Sequence, residues 1–245
     1  AGVRRSLEQH GEALASVLKQ ETPELGLIAH HRGDPFPVLS RALFQMSVEG
    51  YIMRSRPKGT WRSSQYHWML ASERAPWDVE PAEDELVRRW LASYGPATLV
   101  DVAWWTGWSK GRSARVLARI GAQEVRLDDG TGYVTADDVG TIDPPERWAA
   151  LLPGLDPTTM GWKERQWYLG DHRAPLFDRN GNAGPSIWVD GRIVGGWAQR
   201  RDGTVAVRLL EPVDSEAADM IDLRAHLLEA WLTGHVVIPR FRVPL

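Results

Sequence analysis

The 245-residue sequence predicts an α+β fold: tandem winged-helix units, then a small antiparallel β-sheet or barrel region with a C-terminal helix. Three observations predict it. Residues 82–140 read as three helices and a hairpin, and residues 1–74 give the same element order. Residues 145–245 carry two Asp-Gly turns between β-rich flanks, ahead of a long amphipathic stretch. The repeat is one of architecture, not of sequence identity.

In the first unit, Leu7, Leu14, Val17 and Leu18 fall at helical spacing between Val3 and Gln20. Thr22-Pro23-Glu24 reads as a second helix start, with Leu25 and Ile28 inward and an end near Arg32-Gly33-Asp34. A third helix from Pro37 to Gly50 sets Leu39, Leu43, Phe44, Met46 and Val48 along a buried stripe. Tyr51–Arg54 and Tyr66–Leu70 then form a hairpin around Pro57-Lys58-Gly59. Residues 75–81, with two prolines, read as the boundary.

The second unit opens with a helix over Glu85–Tyr94 that buries Leu86, Trp90 and Leu91. Thr98 caps the next helix, with Asp101 at the capping-box position. Ser109 opens a third helix with Ala114, Val116, Leu117 and Ile120 inward, and Glu124–Val134 makes the hairpin. Beyond Asp143, short helices are expected at Arg147–Leu152 and Gly161–Tyr168. A meander follows through Ser186–Val189, Arg192–Ala198 and Val205–Leu210. A long helix from Ser215 to Thr233, with Met220, Leu223, Leu227, Leu228 and Trp231 inward, precedes a last strand at Val236–Ile238.

Lys and Arg number 29 against 32 Asp and Glu, a formal net charge of −3, so any nucleic-acid contact must come from patches. With no cysteine, disulfides, thiolate metal sites and Cys nucleophiles are excluded. No apolar run approaches the roughly 18 residues of a membrane span, so no membrane contact is expected. The cytoplasm is the expected compartment, which the lack of cysteine fits without separating it from the exterior. Thirteen tryptophans is a high count, and most are expected to fill cores with their N–H groups bonded.

Two basic patches stand out. The helix at Ser109–Arg119 carries Lys110, Arg112, Arg115 and Arg119 and no acid. With its apolar face inward, Arg112, Arg115 and Arg119 would line the outer face and meet phosphates, whereas a solvated helix face is the plainer alternative. Asp128 and Asp129 make the hairpin behind it a poor phosphate clamp. In the first unit Arg54, Arg56, Lys58 and Arg62 surround Trp61 with no acid among them, and Arg41 lies on the preceding helix. Phosphate capture with Trp61 as wedge or stacker is the sharper reading; an edge strand guarded by cations is the other. Together the patches point to double-stranded DNA as partner.

Residues 169–182 hold the most varied chemistry. Asp171, His172 and Asp178 could pair as acid and base, and the alternative is a polar loop of Asx turns. The seven histidines show no metal-ligand spacing, the His30-His31 pair is read as a helix end, and no phosphate loop, nucleophile elbow or HExxH occurs. No cofactor or metal is expected.

Three strings, Tyr94–Gly107, Phe177–Asn182 and Trp188–Trp197, together resemble the AlkZ/YcaQ-like winged-helix family. The resemblance covers the chain from about Pro35 to its end. It implies tandem winged helices with a C-terminal β region, arranged as a C around a DNA channel, and in some members excision of bulky or crosslinked alkylpurines. It also implies a Gln–apolar–Gln motif that positions the hydrolytic water. No Gln-x-Gln occurs here, the glutamines at 9, 20, 45, 65, 123, 166 and 199 all being isolated. The resemblance therefore implies that the module carrying the motif is missing, either because an N-terminal piece was removed or because this is a naturally short, non-catalytic member.

The expected function is duplex-DNA binding by a protein related to alkylpurine DNA glycosylases. Hydrolysis of an N-glycosidic bond is expected only where the missing motif is present in the full-length protein, with Asp171, His172 and Asn180 then as candidates for shaping a lesion pocket. A monomer is the expected state. A non-catalytic winged-helix transcription regulator is the alternative, and a small-molecule enzyme built on the 169–182 loop is a third class.

Overall fold

The computed structural model describes residues 1–31, 33–60, 62–72, 78–140 and 142–237. Two compact units emerge, Ala1–Trp77 and Asp78–Leu245. Trp61, residues 75–77 of the expected linker, Arg32 and Ile238 lie outside the described residues.

The first unit begins with α1 (Gly2–His10), β1 (Glu12–Leu14) and α2 (Ala15–Glu21). The single helical run expected between Val3 and Gln20 is thus broken. Gly11, at φ 73°, ends α1, and Glu12–Leu14 pairs with β5 (Tyr66–Leu70). The helix expected from Glu24 is a single 3-10 turn, Pro23–Leu25, halted at Gly26. Thr22 does not cap it: its hydroxyl donates back to the Leu18 carbonyl at 2.6 Å. The residues that follow pair as a hairpin, β2 (Ile28–His31) with β3 (Asp34–Pro37). His30 and His31 therefore lie on a strand, not at a helix end. Helix α3 (Val38–Val48) buries Leu39 and Leu43 and leaves Phe44 and Val48 exposed, against the expected stripe. The hairpin β4 (Ile52–Pro57) with β5 completes a sheet of order β1-β5-β4. Val3, Leu7, Leu18, Leu39, Leu43, Ile52 and Trp68 form the core.

The second unit opens on α4 (Val79–Tyr94), which starts six residues before the expected Glu85. Pro81, expected in the linker, sits in the first turn, where its missing N–H would have had no partner. Val87, Trp90 and Leu91 are buried, and Leu86 faces out. On α5 (Leu99–Thr106) the capping box is present: Thr98 Oγ1 accepts the Asp101 N–H, and Asp101 Oδ2 accepts the Thr98 N–H at 3.0 Å. Gly107, at φ 72°, closes the helix in the left-handed region. Ser109 caps α6 (Lys110–Arg119), which buries Ser113, Val116 and Leu117 and exposes Ala114. A hairpin of β6 (Gln123–Leu127) and β7 (Gly130–Val134) turns on Asp128-Asp129, and Ala97 bridges to Tyr133.

Asp101 also joins this segment to the rest of its unit. It is 2% exposed, and its other oxygen accepts the backbone N–H groups of Lys163 and Glu164, both at 2.8 Å. The Trp162 indole donates to the Tyr94 carbonyl at 2.9 Å.

Residues Ala149–Leu152 form a strand, β8, where a helix was expected. Four apolar residues are too few for helical periodicity to decide, and pairing with β9 (Ser186–Val189) does decide it. The expected helix over Gly161–Tyr168 reduces to the turn α8 (Gln166–Leu169), flanked by α7 (Pro157–Met160) and α9 (Arg173–Leu176). The meander is present, with β10 (Arg192–Gln199) and β11 (Val205–Leu209), and the sheet order is β11-β10-β9-β8. Asp190 and Gly191 take φ 46° and 86°, the two positive values a tight hairpin turn needs. One face of the sheet packs Ile187, Val189 and Val194 on α10 (Ser215–Trp231); the other packs Trp188 and Ile193 on Tyr168, Leu169 and Leu176.

Helix α10 buries Ala217, Ile221 and Ala225, not the larger stripe the sequence suggested; Leu223, Leu227 and Trp231 are exposed. Small side chains let it sit close to β8, where Arg224 Nε donates to the Ala149 carbonyl at 3.1 Å. Val236 and Val237 are not a strand, and the Val237 N–H bonds the Gln199 side chain at 2.8 Å. Among the described tryptophans, Trp68, Trp90 and Trp188 are buried, while Trp104, Trp105, Trp167 and Trp231 are exposed.

Candidate nucleic-acid interface

The charge on α6 is largely answered within the fold. Arg112 Nε donates to Glu83 at 2.7 Å and its guanidinium lies 4.5 Å from the Trp108 ring centroid. Arg119 donates from Nε to Asp84 at 2.6 Å and from Nη2 to Glu83 at 2.9 Å. Those acids belong to the first turns of α4, where negative charge also suits the helix dipole. Hydrogen bonds from Arg119 and then Arg112 hold the Glu83 carboxyl below its ordinary pKa. Of the four α6 cations, Lys110 and Arg115 are exposed and have no ion-pair partner among the described residues. The sequence could not show this pairing, because Glu83 and Arg119 are 36 residues apart.

The first unit differs. Arg54, Arg56, Lys58 and Arg62 are exposed on and beside β4, and none has an ion-pair partner among the described residues. β4 is an edge strand, with its register shifted between Arg54 and Pro57. The Arg54 guanidinium lies 5.4 Å from the Tyr66 ring and 5.3 Å from that of Trp68, which limits its swing without neutralising it. The nearby acid is Glu12, which accepts the Ser55 hydroxyl at 2.7 Å. Arg41, on α3, lies 5.8 Å from the Phe44 ring.

In the 169–182 loop the expected Asp171–His172–Asp178 grouping is not formed. His172 Nε2 is 2.8 Å from Glu211, which also takes Arg192 at 3.3 Å. The hydrogen bond from His172, with help from Arg192, lowers the Glu211 pKa. Asp171 accepts from Gln166 at 3.3 Å. Asp178 accepts the backbone N–H groups of Asn180 and Asn182 at 2.8 and 2.9 Å, bonds that hold its carboxyl below the usual range. It is an Asx turn. Asn180 is exposed at the tip. Glu211, the partner His172 does have, follows the meander 39 residues on, with no local signal. Among the described residues no group of three His, Asp or Glu could hold a metal.

A second charged place, absent from the sequence-based expectations, lies at Arg165. Arg165 is only 7% exposed, and its guanidinium lies 5.2 Å from the Trp104 ring and 5.3 Å from the Phe177 ring. Nη1 donates to the Thr159 carbonyl at 3.1 Å, and Nε has no partner among the described residues. Burial lowers the pKa of this guanidinium.

Two small antiparallel arrangements, each behind three helical segments, and a four-stranded sheet backed by a long helix define a mixed α/β protein. A family model for DNA glycosylase AlkZ-like proteins matches residues 1–231, and the chain belongs to that family. No curated protein sequence matches it. Among solved structures, Streptomyces sahachiroi DNA glycosylase AlkZ is similar, with a TM-score of 0.63 at 17% identity over 92% of this chain and 68% of that one. That likeness is one of fold. No helix among the described residues is long and apolar enough to cross a membrane.

Proposed function

We propose that this chain binds duplex DNA through winged-helix units, in a DNA-repair role related to glycosylases that remove alkylated or crosslinked purines. The winged-helix reading rests on topology. In the first unit the strand after the first helix pairs with the last strand of the hairpin, β1 with β5. In the second, Ala97 occupies that place and bridges to Tyr133. The observation that carries the DNA reading is the set of four exposed cations, Arg54, Arg56, Lys58 and Arg62, on one hairpin, none with an ion-pair partner among the described residues. α6 contributes Lys110 and Arg115, while Arg112 and Arg119 act as struts.

No Gln-x-Gln pair lies within these residues, so the reading assigns them DNA holding and not water activation. That same absence favours, as a second reading, a regulator that binds without excising. The test incubates the chain with a duplex containing N7-alkylguanine and with an unmodified duplex, scoring affinity and abasic sites. Duplex binding that weakens steeply with salt, without base release, is expected. Base release would place catalysis in these residues, a strong preference for one unmodified sequence would favour the regulator, and no duplex binding would overturn the proposal.

A further inference from the structure

Arg165 and Arg173 form a cationic pair without a carboxylate partner among the described residues. Both guanidinium groups lie against one ring, Phe177, at 5.3 and 5.4 Å. Among the described residues neither has a carboxylate within ion-pair distance, although the second unit is rich in Arg–carboxylate bonds elsewhere. Arg147 alone gathers Asp190, Asp214 and Glu216. Burying a charge without an opposite one is costly, and a second like charge nearby adds to that cost. Arg173 indeed acts on Arg165 as a repulsive neighbour, and Asp101, the acid that helps it, is committed to four hydrogen bonds of its own.

The rings around the pair do not remove the need for an anion. Trp104 is 40% exposed, so one side of the cluster is open to a ligand. Arg165 Nε is a buried donor with no acceptor among the described residues, so its hydrogen-bonding capacity is not used up within them. Arg173 is exposed and free to make the direct contact, with Arg165 behind it as fixed charge. Arginine is well matched to a phosphate, which it can grip through two donors at once.

We propose that Arg173, backed by Arg165 and flanked by Trp104, is a phosphate-binding site in the second unit that takes a backbone phosphodiester of DNA. It rests on the reading of the chain as a duplex-DNA binder, and adds a grip separate from the first unit's hairpin. In this reading the counter-charge that Arg165 and Arg173 lack among the described residues arrives with the ligand.

The test uses the full chain and a fluorescein-labelled 20-base-pair duplex, titrated at several KCl concentrations. Arg173→Gln is the main variant because the side chain is exposed; an unchanged melting temperature confirms its fold. It should weaken binding about three- to tenfold and flatten the slope of log affinity against log salt by about one unit. Arg173→Lys should restore the slope but only part of the affinity. Arg54→Gln serves as the reference. If Arg54→Gln weakens binding and Arg173→Gln changes neither affinity nor slope, this site is overturned and the DNA reading stands. If the unaltered chain does not bind the duplex, both fall. A sodium phosphate titration, followed by tryptophan fluorescence, separates the sources. Quenching that Arg173→Gln abolishes, with duplex binding unchanged, would assign the site to free phosphate and overturn the DNA assignment.

Discussion

Arg119 Nε lies 2.6 Å from Asp84 Oδ1, and the same guanidinium reaches Glu83 at 2.9 Å. This ties the third helix of the second unit to the first turns of α4. Since Glu83 also holds Arg112, two of the four cations that make α6 look like a DNA-gripping helix are engaged by one carboxylate and its neighbour.

Arg119→Gln should therefore lower stability without altering DNA binding. The expected outcome is a lower melting temperature, a loss that shrinks in 1 M salt as the ion pairs are screened. Duplex affinity and its salt slope should stay at the parental values. Arg115→Gln, on the same helix but unpaired, should behave oppositely. A flattened salt slope for Arg119→Gln would return that side chain to the interface.

The hairpin cations should show the complementary pattern. Arg54→Gln and Arg56→Gln change exposed side chains that hold no ion pair among the described residues, so stability should move little. Each should flatten the salt slope by about one unit, and the double variant by about two. Fluorescence anisotropy at four salt concentrations measures this. Two variants with unchanged slopes would show that the hairpin does not touch phosphate.

Much of this was legible in the sequence wherever the signal was local. The capping box at Thr98 and Asp101, the Ser109 cap and the Asp190-Gly191 turn each lie within four residues, and all three form as read. What failed was set by partners far along the chain. Glu83 faces Arg119, Glu211 faces His172, and β1 lies against β5, and none of these pairings leaves a periodic mark. The buried face of α10 differs from the expected one for another reason. Size favoured Leu223 and Trp231, but close approach to β8 favoured Ala217 and Ala225. The candidate site was legible as a basic cluster, whereas the Arg165 place was not, because it is assembled from α5, the turn before α8 and the residue after α9.

Tyr168 should give the protein an alkaline limb. The side chain is fully buried, and burial pushes its pKa up to about 12 from 10.0. The neutral, protonated phenol is the form the fold accepts. Its contribution is complete below pH 10, and is lost as pH rises from 10 through about 12, where the unfolded chain ionises first. Two units correspond to about 3 kcal/mol at most. Tyr168→Phe gives up the bond from the hydroxyl to the Thr159 carbonyl, a cost of about 1 kcal/mol near neutral pH. Above pH 10 its stability should fall less steeply than the parent's. Urea unfolding at pH 8 to 11 compares the two; parallel curves would show that Tyr168 does not set the limb.

Arg165→Met separates charge from packing at the same place. Methionine fills much of the volume between Trp104 and Phe177 and brings no charge to a buried position. It removes the bond to the Thr159 carbonyl, but that oxygen keeps the Tyr168 hydroxyl at 3.2 Å, so no buried acceptor is orphaned. The unpartnered Nε and the repulsion from Arg173 disappear with the guanidinium. A buried arginine retained for folding would make this variant less stable, whereas one retained as charge for a ligand would leave stability equal or higher. The expected result is an unchanged or raised melting temperature together with weaker duplex binding and a lower salt slope. A fall of many degrees, with affinity intact, would mean that the two aromatic rings and the Thr159 bond are the reason Arg165 is there.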